Sequence, residues 1–293
     1  MRNVIFAALL ALGCGATPKS IATPINRAAL AQTEADKHAQ LVADGDALWQ
    51  ERSDELKLRA AIATWTAAIG VKQDDDATYA KLARASYLLA DGFLSFDAAK
   101  VDEYLATHEQ GQAFALRGLS AFSADFEKRL ASGAKIEDAA AVLTKDAVPL
   151  LYWFDVNLGK WAKFKGISTT LKHKDRIFRV MKRIAELDAD YFYGASDRYF
   201  GAFYAVAPSF AGGDVEKSRQ YFESSTKKAP YYLATHVLIA ENYAPKVQDR
   251  ALYERELKFV LDTPADSLPD VIPEQQIEKK KAERLLKQID EKF

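Results

Sequence analysis

The chain is expected to fold as an all-α protein, a solenoid of stacked helical hairpins finished by a C-terminal capping helix. Three observations carry this expectation. From Glu34 onward apolar residues recur at helical spacing almost without interruption, and no alternating β-branched run is bounded by hairpin turns. Small and aromatic residues return at fixed offsets over 41–68, 79–83 and 201–243. With 293 residues, 49% of them hydrophobic and 28% charged, the chain is long enough to bury such a run of hairpins and too apolar to stay disordered.

The first fourteen residues, MRNVIFAALLALGC, hold one basic residue, an apolar run from Val4 to Leu12, then Gly13 and the only cysteine. The run is too short to span a bilayer as a mature helix. It resembles a bacterial lipoprotein signal, with Ala11-Leu12-Gly13-Cys14 standing where the lipobox would be. On this reading residues 1–13 are a signal peptide and Cys14 is lipidated at the mature amino terminus. The alternative is ordinary secretion, with cleavage after Ala31 and Cys14 discarded. A di- or triacylated cysteine would anchor the chain through several tens of methylenes at about 0.8 kcal/mol each. With Cys14 consumed, no disulfide or cysteine metal cluster is available, and packing alone must hold the fold. Residues 14–33, with Pro18, Pro24 and scattered Ala, Ser and Thr, read as a flexible tether. The repeat domain is expected over 34–293.

The first hairpin places Leu41, Gly45 and Leu48 on one helix and Ala61, Trp65 and Ala68 on its partner, at the spacings of a tetratricopeptide repeat. Tyr79, Leu82 and Ala83 restart the pattern in register, although any amphipathic hairpin shares that spacing of apolar residues. Residues 98–132 read as two helices or one long one, ended by Ser132-Gly133. Another helical unit is expected over Ile136–Lys163. A helix from about Thr170 to Leu187 follows, with Ile177, Val180, Met181 and Ile184 inward and the basic run KHKDRIFRVMKR on the solvated side.

The centre of the chain, Tyr191 to Pro230, fits a tetratricopeptide-like hairpin: Gly201 and Tyr204 on the first helix, a Gly213-Asp214 turn, then Ser218, Phe222 and Pro230. Gly201 precedes Gly213 by more than a standard repeat allows, so Val206 to Gly212 is an apolar insertion of about five residues. Such an insertion either packs on a neighbouring repeat or projects toward a partner or ligand, and Pro208 and Phe210 within it are candidate partner contacts. His236, Ile239, Ala240 and Tyr243 continue the register. After Pro264, Pro269 and Pro273, a charged amphipathic helix from Glu274 to Phe293 is expected to cap the stack, with Ile277, Leu285, Leu286 and Ile289 inward.

Two segments are denser in rings than a repeat core requires. One runs from Tyr152 to Trp161, the other from Tyr191 to Phe210. If the hairpins stack consecutively, Tyr152, Trp153, Asn157, Lys160 and Trp161 face Arg198, Tyr199, Phe203 and Tyr204 across a shared cavity. Such a cavity would suit a small amphipathic ligand, with Lys160 or Arg198 meeting a carboxylate. The alternative is ordinary packing, in which Asn157 faces solvent and Lys160 covers Trp161.

Other chemistries find little support. The 40 basic and 41 acidic side chains give a formal charge of −1, too balanced for an electrostatic nucleic-acid footprint. His38, His108, His173 and His236 are scattered without metal-ligand spacing, so no metal is expected. Gly212-Gly213 fits a hairpin turn better than a phosphate-cradling loop, no nucleophile elbow is present, and no cofactor is implied. An enzyme, such as a hydrolase built on an acidic pair, is the weakest of the readings considered.

The segments YWFDVNLGKWA, YFYGASDRYFGAFYA, PSFAGGDVEKSRQYFE and NYAPKVQDR resemble the T-component family of tripartite ATP-independent periplasmic (TRAP) transporters. The resemblance is close from about Ala147 onward and weaker over Glu34 to Leu130. Ala195, Ser196 and Asp197 stand where the family pattern has Gly-Pro-His. The resemblance implies a helical, non-enzymatic periplasmic lipoprotein that forms a homo-oligomeric ring such as a trimer. It also implies docking to the solute-binding P-component and handling of an apolar or organic-acid ligand. A lipoprotein scaffold for envelope assembly, using the concave surface for protein contacts alone, is the competing reading.

Overall fold

A computed structural model describes residues 23–293, so the expected signal peptide, Cys14 and the first part of the expected tether lie outside the described residues. Among the described residues the fold is all-α, with fourteen α-helices linked by short turns and no strand. The first four long helices are α1 (Gln32–Gln50), α2 (Glu55–Val71), α3 (Asp76–Gly92) and α4 (Val101–Phe122), each packed on the next. Local chemistry starts them where the chain turns. Asp54 accepts from the Leu56 and Lys57 N–H groups ahead of α2, and Asp75 accepts from Thr78 N–H ahead of α3. The expected α1–α2 pairing is formed, because Gly45 lacks the Cβ that would collide with the fully buried Trp65 ring.

Residues 98–132 resolve into two helices. Ser123 breaks the run by capping α5 (Ala124–Ala131), accepting from Phe126 N–H at 3.2 Å. The unit expected from Ile136 begins with only one turn, α6 (Ile136–Ala139), and becomes a long helix at α7 (Val148–Lys165). Gly166, at φ 101, turns the chain directly into α8 (Ile167–Leu187), three residues earlier than expected. The main apolar core lies among α2, α3, α4, α7 and α8, with Trp65, Leu82, Leu119, Leu151 and Met181 all within it.

The central hairpin is α9 (Tyr191–Val206) against α10 (Val215–Lys228). Its repeat-like residues meet across the pair. A Cβ on Gly201 would lie 2.8 Å from the Phe222 ring, and Ser218 Oγ donates to the Gly201 carbonyl at 2.7 Å. The insertion forms a compact tip: a 3-10 turn at Ser209–Ala211, then Gly212 at φ 98, closed by Gly213 N–H donating to Pro208 O at 3.0 Å.

The last elements are α11 (Leu233–Leu238), which runs on into a π-turn, α12 (Arg250–Asp262), α13 (Ile272–Lys287) and the short α14 (Ile289–Lys292). Leu233, Tyr253, Leu257, Ala282 and Leu285 form a second core among them. The capping role expected of the last helix is only part of what α13 does. Its charged side turns inward and meets the start of the chain: Glu274 accepts from Arg52 at 3.0 Å and Arg84 at 2.7 Å, and Lys281 reaches Asp91 at 2.5 Å. The stack therefore curls back on itself. The described part of the expected tether, 23–33, makes contacts with the helices. Ile25 is buried, its N–H donates to Glu127 Oε1 at 2.7 Å, and Arg27 donates to Ser120 O at 2.6 Å.

Candidate functional site

The first turn of α9 has the wrong hand for an α-helix. Phe192, Tyr193 and Gly194 take φ of 44°, 60° and 69° with ψ of 60°, 44° and 41°. For a residue bearing a Cβ this conformation costs roughly 1–2 kcal/mol, so Phe192 and Tyr193 must be held by something else. The Arg198 guanidinium, 4% exposed, donates to Tyr193 O at 2.9 Å and to Phe192 O at 3.3 Å. It thereby satisfies carbonyls that a right-handed turn would have paired within the helix. The rings complete the clamp. Tyr193 stacks on Tyr232 at 4.7 Å, and Phe192 stands edge-on to Trp153 at 5.1 Å.

This left-handed turn forms one wall of a cleft of about 710 Å³, whose other walls are Arg84 of α3, Lys228 at the end of α10, and Asp270 and Val271 just ahead of α13. The cleft therefore exists only because α13 returns to α3. Arg84 lies over the Phe192 ring at 5.1 Å and pairs with Glu274, while its Nε is buried without a hydrogen-bond partner. Lys228 bridges Asp190 at 3.1 Å and Asp197 at 3.0 Å. Burial lowers the Lys228 ammonium, but the two carboxylates outweigh this and raise it above its ordinary value. Aromatic floor, two cations and exchangeable carboxylate partners are what a small organic acid with an apolar body would need.

The residues singled out from the sequence do not share one cavity. Tyr152, Trp153 and Arg198 come together behind the left-handed turn, with Arg198 donating to the Tyr152 hydroxyl at 3.4 Å. Asn157 is fully buried, and neither faces solvent nor lines the cleft: its amide donates to Ala83 O and Trp153 O, and its Oδ1 accepts from His108 Nδ1 at 2.8 Å. That bond fixes the His108 tautomer. Burial pulls the imidazole down to about 4, with the Asn157 bond opposing, so it is neutral at pH 7. Lys160 pairs with Asp91 at 2.5 Å, and Trp161 donates to Glu109 at 2.7 Å. Tyr199 and Phe203 stack at 6.1 Å. Tyr204 stacks on Tyr221 at 5.7 Å beside a smaller cleft of about 310 Å³ that also touches Asp197 and Lys217. Pro208 and Phe210 stand apart, on the tip of the insertion.

Sequence reasoning missed Phe192, Tyr193 and Gly194 as a turn, and missed Arg84 and Lys228. The one local signal was a glycine closing a run of three rings inside a helical pattern, a position that invites a left-handed residue.

Asp155 is the anomaly of the interior. It sits on α7 between Leu151 and Leu158, 1% exposed, with neither carboxylate oxygen hydrogen-bonded. Burial alone holds its carboxyl well above the ordinary carboxylate value, so the folded state keeps the proton that the unfolded chain releases. With the folded value raised, stability is greatest below the unfolded value near 3.8 and declines as pH rises toward the folded one. Asp155→Asn removes this linkage. The variant is expected to gain about 1–3 kcal/mol at pH 7 and nothing near pH 3, read from urea melts at the two pH values. A gain that is the same at both would mean that the carboxyl holds its proton equally well in the folded and unfolded chain.

Among the described residues no group of three or more His, Cys, Asp or Glu could hold a metal ion, and no helix is long and apolar enough to cross a membrane. No curated protein matches the chain. The family model described as TRAP transporter T-component matches residues 94–293, from the turn after α3 through the insertion and the whole of α13. That match spans more than half of the sequence and includes most of the cleft, and on it the chain belongs to the TRAP transporter T-component family.

Proposed function

We propose that this protein is an auxiliary periplasmic subunit of a TRAP transport system that docks on the solute-binding P-component and offers its cleft to a small organic acid or apolar solute. Family membership supports the transport role. The observation that carries the docking reading is Phe210, 85% exposed on a tip held closed by its own backbone hydrogen bonds. A large ring presented on a rigid projection, with Pro208 beside it, is the type of anchor that fills a pocket on a partner. On the ligand side, Arg84 and Lys228 would exchange a carboxylate partner for the solute's, and Phe192 and Tyr193 would cover its hydrocarbon part. Tyr152, Trp153 and Arg198 support that wall from behind. In the same reading residues 1–13 direct export, acylated Cys14 anchors the chain to the envelope, residues 14–33 lead into the folded body, and the assembled form is a homo-oligomer such as a trimer.

The test is recovery of partners from detergent-solubilised membranes, with mass spectrometry of proteins and extracted small molecules. The wild-type chain is expected to retain a solute-binding protein, and Phe210→Ser to lose at least about tenfold of it with an unchanged thermal melt, since alanine-type truncation of such an anchor removes 1.4 kcal/mol or more. Equal recovery by the two forms removes Phe210 from the contact. Recovery of envelope-assembly proteins without any solute-binding protein favours the scaffold reading instead.

A further inference from the structure

The corner between α7 and α8 departs from the balanced charge of the whole chain. From Lys160 to Lys174 there are five lysines and no aspartate or glutamate, in a protein whose formal charge is −1. The same corner exposes three large apolar side chains, Phe164 at 50%, Ile167 at 67% and Leu171 at 40%. Ile167 and Leu171 are four residues apart on one face of α8, and Phe164 stands in the last turn of α7, three residues before Ile167, its ring leaning on Tyr104 at 5.2 Å. The corner is tied by a shared hydrogen bond: Thr170 Oγ lies 3.1 Å from both Ala162 O and Gly166 O, between which its one hydrogen is shared, and Gly166 makes the turn.

Three of the lysines are engaged. Lys160 is held by Asp91, Lys163 reaches Glu241 at 3.5 Å, and Lys174 reaches Asp175 at 3.5 Å. Lys165 and Lys172 are exposed and have no acidic partner among the described residues; Lys165 lies 5.9 Å from the centre of the Trp161 ring. An apolar tip ringed by cations matches an anionic lipid surface, in which rings and aliphatic side chains enter the headgroup region while ammonium groups meet phosphates. A second copy presenting the same face would bring like charges together, which disfavours a self-complementary contact.

We propose that the Phe164–Leu171 corner docks on the surface of an anionic phospholipid bilayer, a contact separate from any acyl anchor and from the Phe210 tip. The test uses the full-length chain carrying Cys14→Ser, so that no acyl group at that position holds it to lipid. Flotation is compared on vesicles of phosphatidylcholine with about 30% phosphatidylglycerol and on phosphatidylcholine alone. Two further variants share this background, Phe164→Ser/Ile167→Ser/Leu171→Ser and Lys165→Glu/Lys172→Glu. Residues 1–22 are common to all three, so a difference among them comes from the corner. Both variants are expected to lose at least fivefold of the binding to mixed vesicles at unchanged helicity, and the parent to bind phosphatidylcholine alone several-fold more weakly. Retention within twofold for both variants, or equal binding of the parent to the two vesicle types, overturns the proposal. So does a change confined to the sedimentation of the triple variant without lipid, which would assign the face to a second copy.

Discussion

Asp91→Ala is expected to destabilise the fold by about 3–5 kcal/mol, the cost typical of removing one partner from a buried charge network. The carboxylate is 8% exposed and lies between two ammonium groups, Lys160 on Oδ1 and Lys281 on Oδ2, each at 2.5 Å. Glu278 holds Lys281 from the other side at 2.7 Å. Without Asp91, cations from α7 and α13 face each other across α3, and α13 loses one of its ties to the start of the chain. Burial raises the Asp91 carboxyl, but Lys160 and Lys281 outweigh it and hold the group below its ordinary range. With the folded value depressed, the stabilisation is present above the unfolded value and is lost as pH falls through the folded one. Urea melts at pH 7 should show the full loss, and the gap should narrow as the medium is acidified below about pH 4. Hydrogen exchange of 272–287 should rise in the variant at pH 7. A loss below about 1 kcal/mol would mean that water screens the pair at Lys160 as it does an exposed salt bridge.

Gly213→Ala should cost roughly 3 kcal/mol and disorganise the insertion. A Cβ there would penetrate the Ala207 carbonyl oxygen and lie 2.8 Å from the carbonyl carbon, and both are backbone atoms that cannot swing aside. To relieve the overlap the chain must give up the Gly213 N–H bond to Pro208 O or the Asp214 N–H bond to Tyr204 O, each 3.0 Å long. Phe210 would then no longer be presented on a closed tip. Gly212 provides the control: it has open space around its would-be Cβ but a φ of 98°, so Gly212→Ala should cost only about 1–2 kcal/mol of backbone strain. Thermal melts of the two variants separate steric from conformational cost. Equal and small shifts would mean that the insertion tolerates rearrangement and that its shape is not what positions Phe210.

Much of the architecture was legible from local signals. Apolar spacing put Gly45 and Trp65, and Gly201 and Phe222, on the partner helices of two hairpins, because a helix face repeats every three to four residues; that each ring lies against the glycine opposite is what the packed structure adds. Capping by Asp54, Asp75 and Asp214 is likewise a property of a few consecutive residues. The aromatic density at Tyr152–Trp153 and Tyr191–Tyr193 did mark a region where elements converge, with Phe192 and Tyr193 lining the cleft and Tyr152 and Trp153 behind that wall.

The sequence by itself determined an all-α chain, its hairpins, the presence of an insertion at 206–212 and, through four family-like segments, the transporter family that the match over 94–293 establishes. Tertiary structure alone decided which charges are spent and which are available. Asp91 lies 69 residues from Lys160 and 190 from Lys281, and Arg84 lies 190 from Glu274, so no local window contains either network. It also decided the hand of the turn at Phe192–Gly194, where local preference for a right-handed helix is overridden by the buried Arg198 and the Tyr232 ring. The physical reason is common to both. Periodicity reports which face of a helix turns inward, whereas ion pairing and strained backbone depend on what stands opposite that face once α13 has returned to α3.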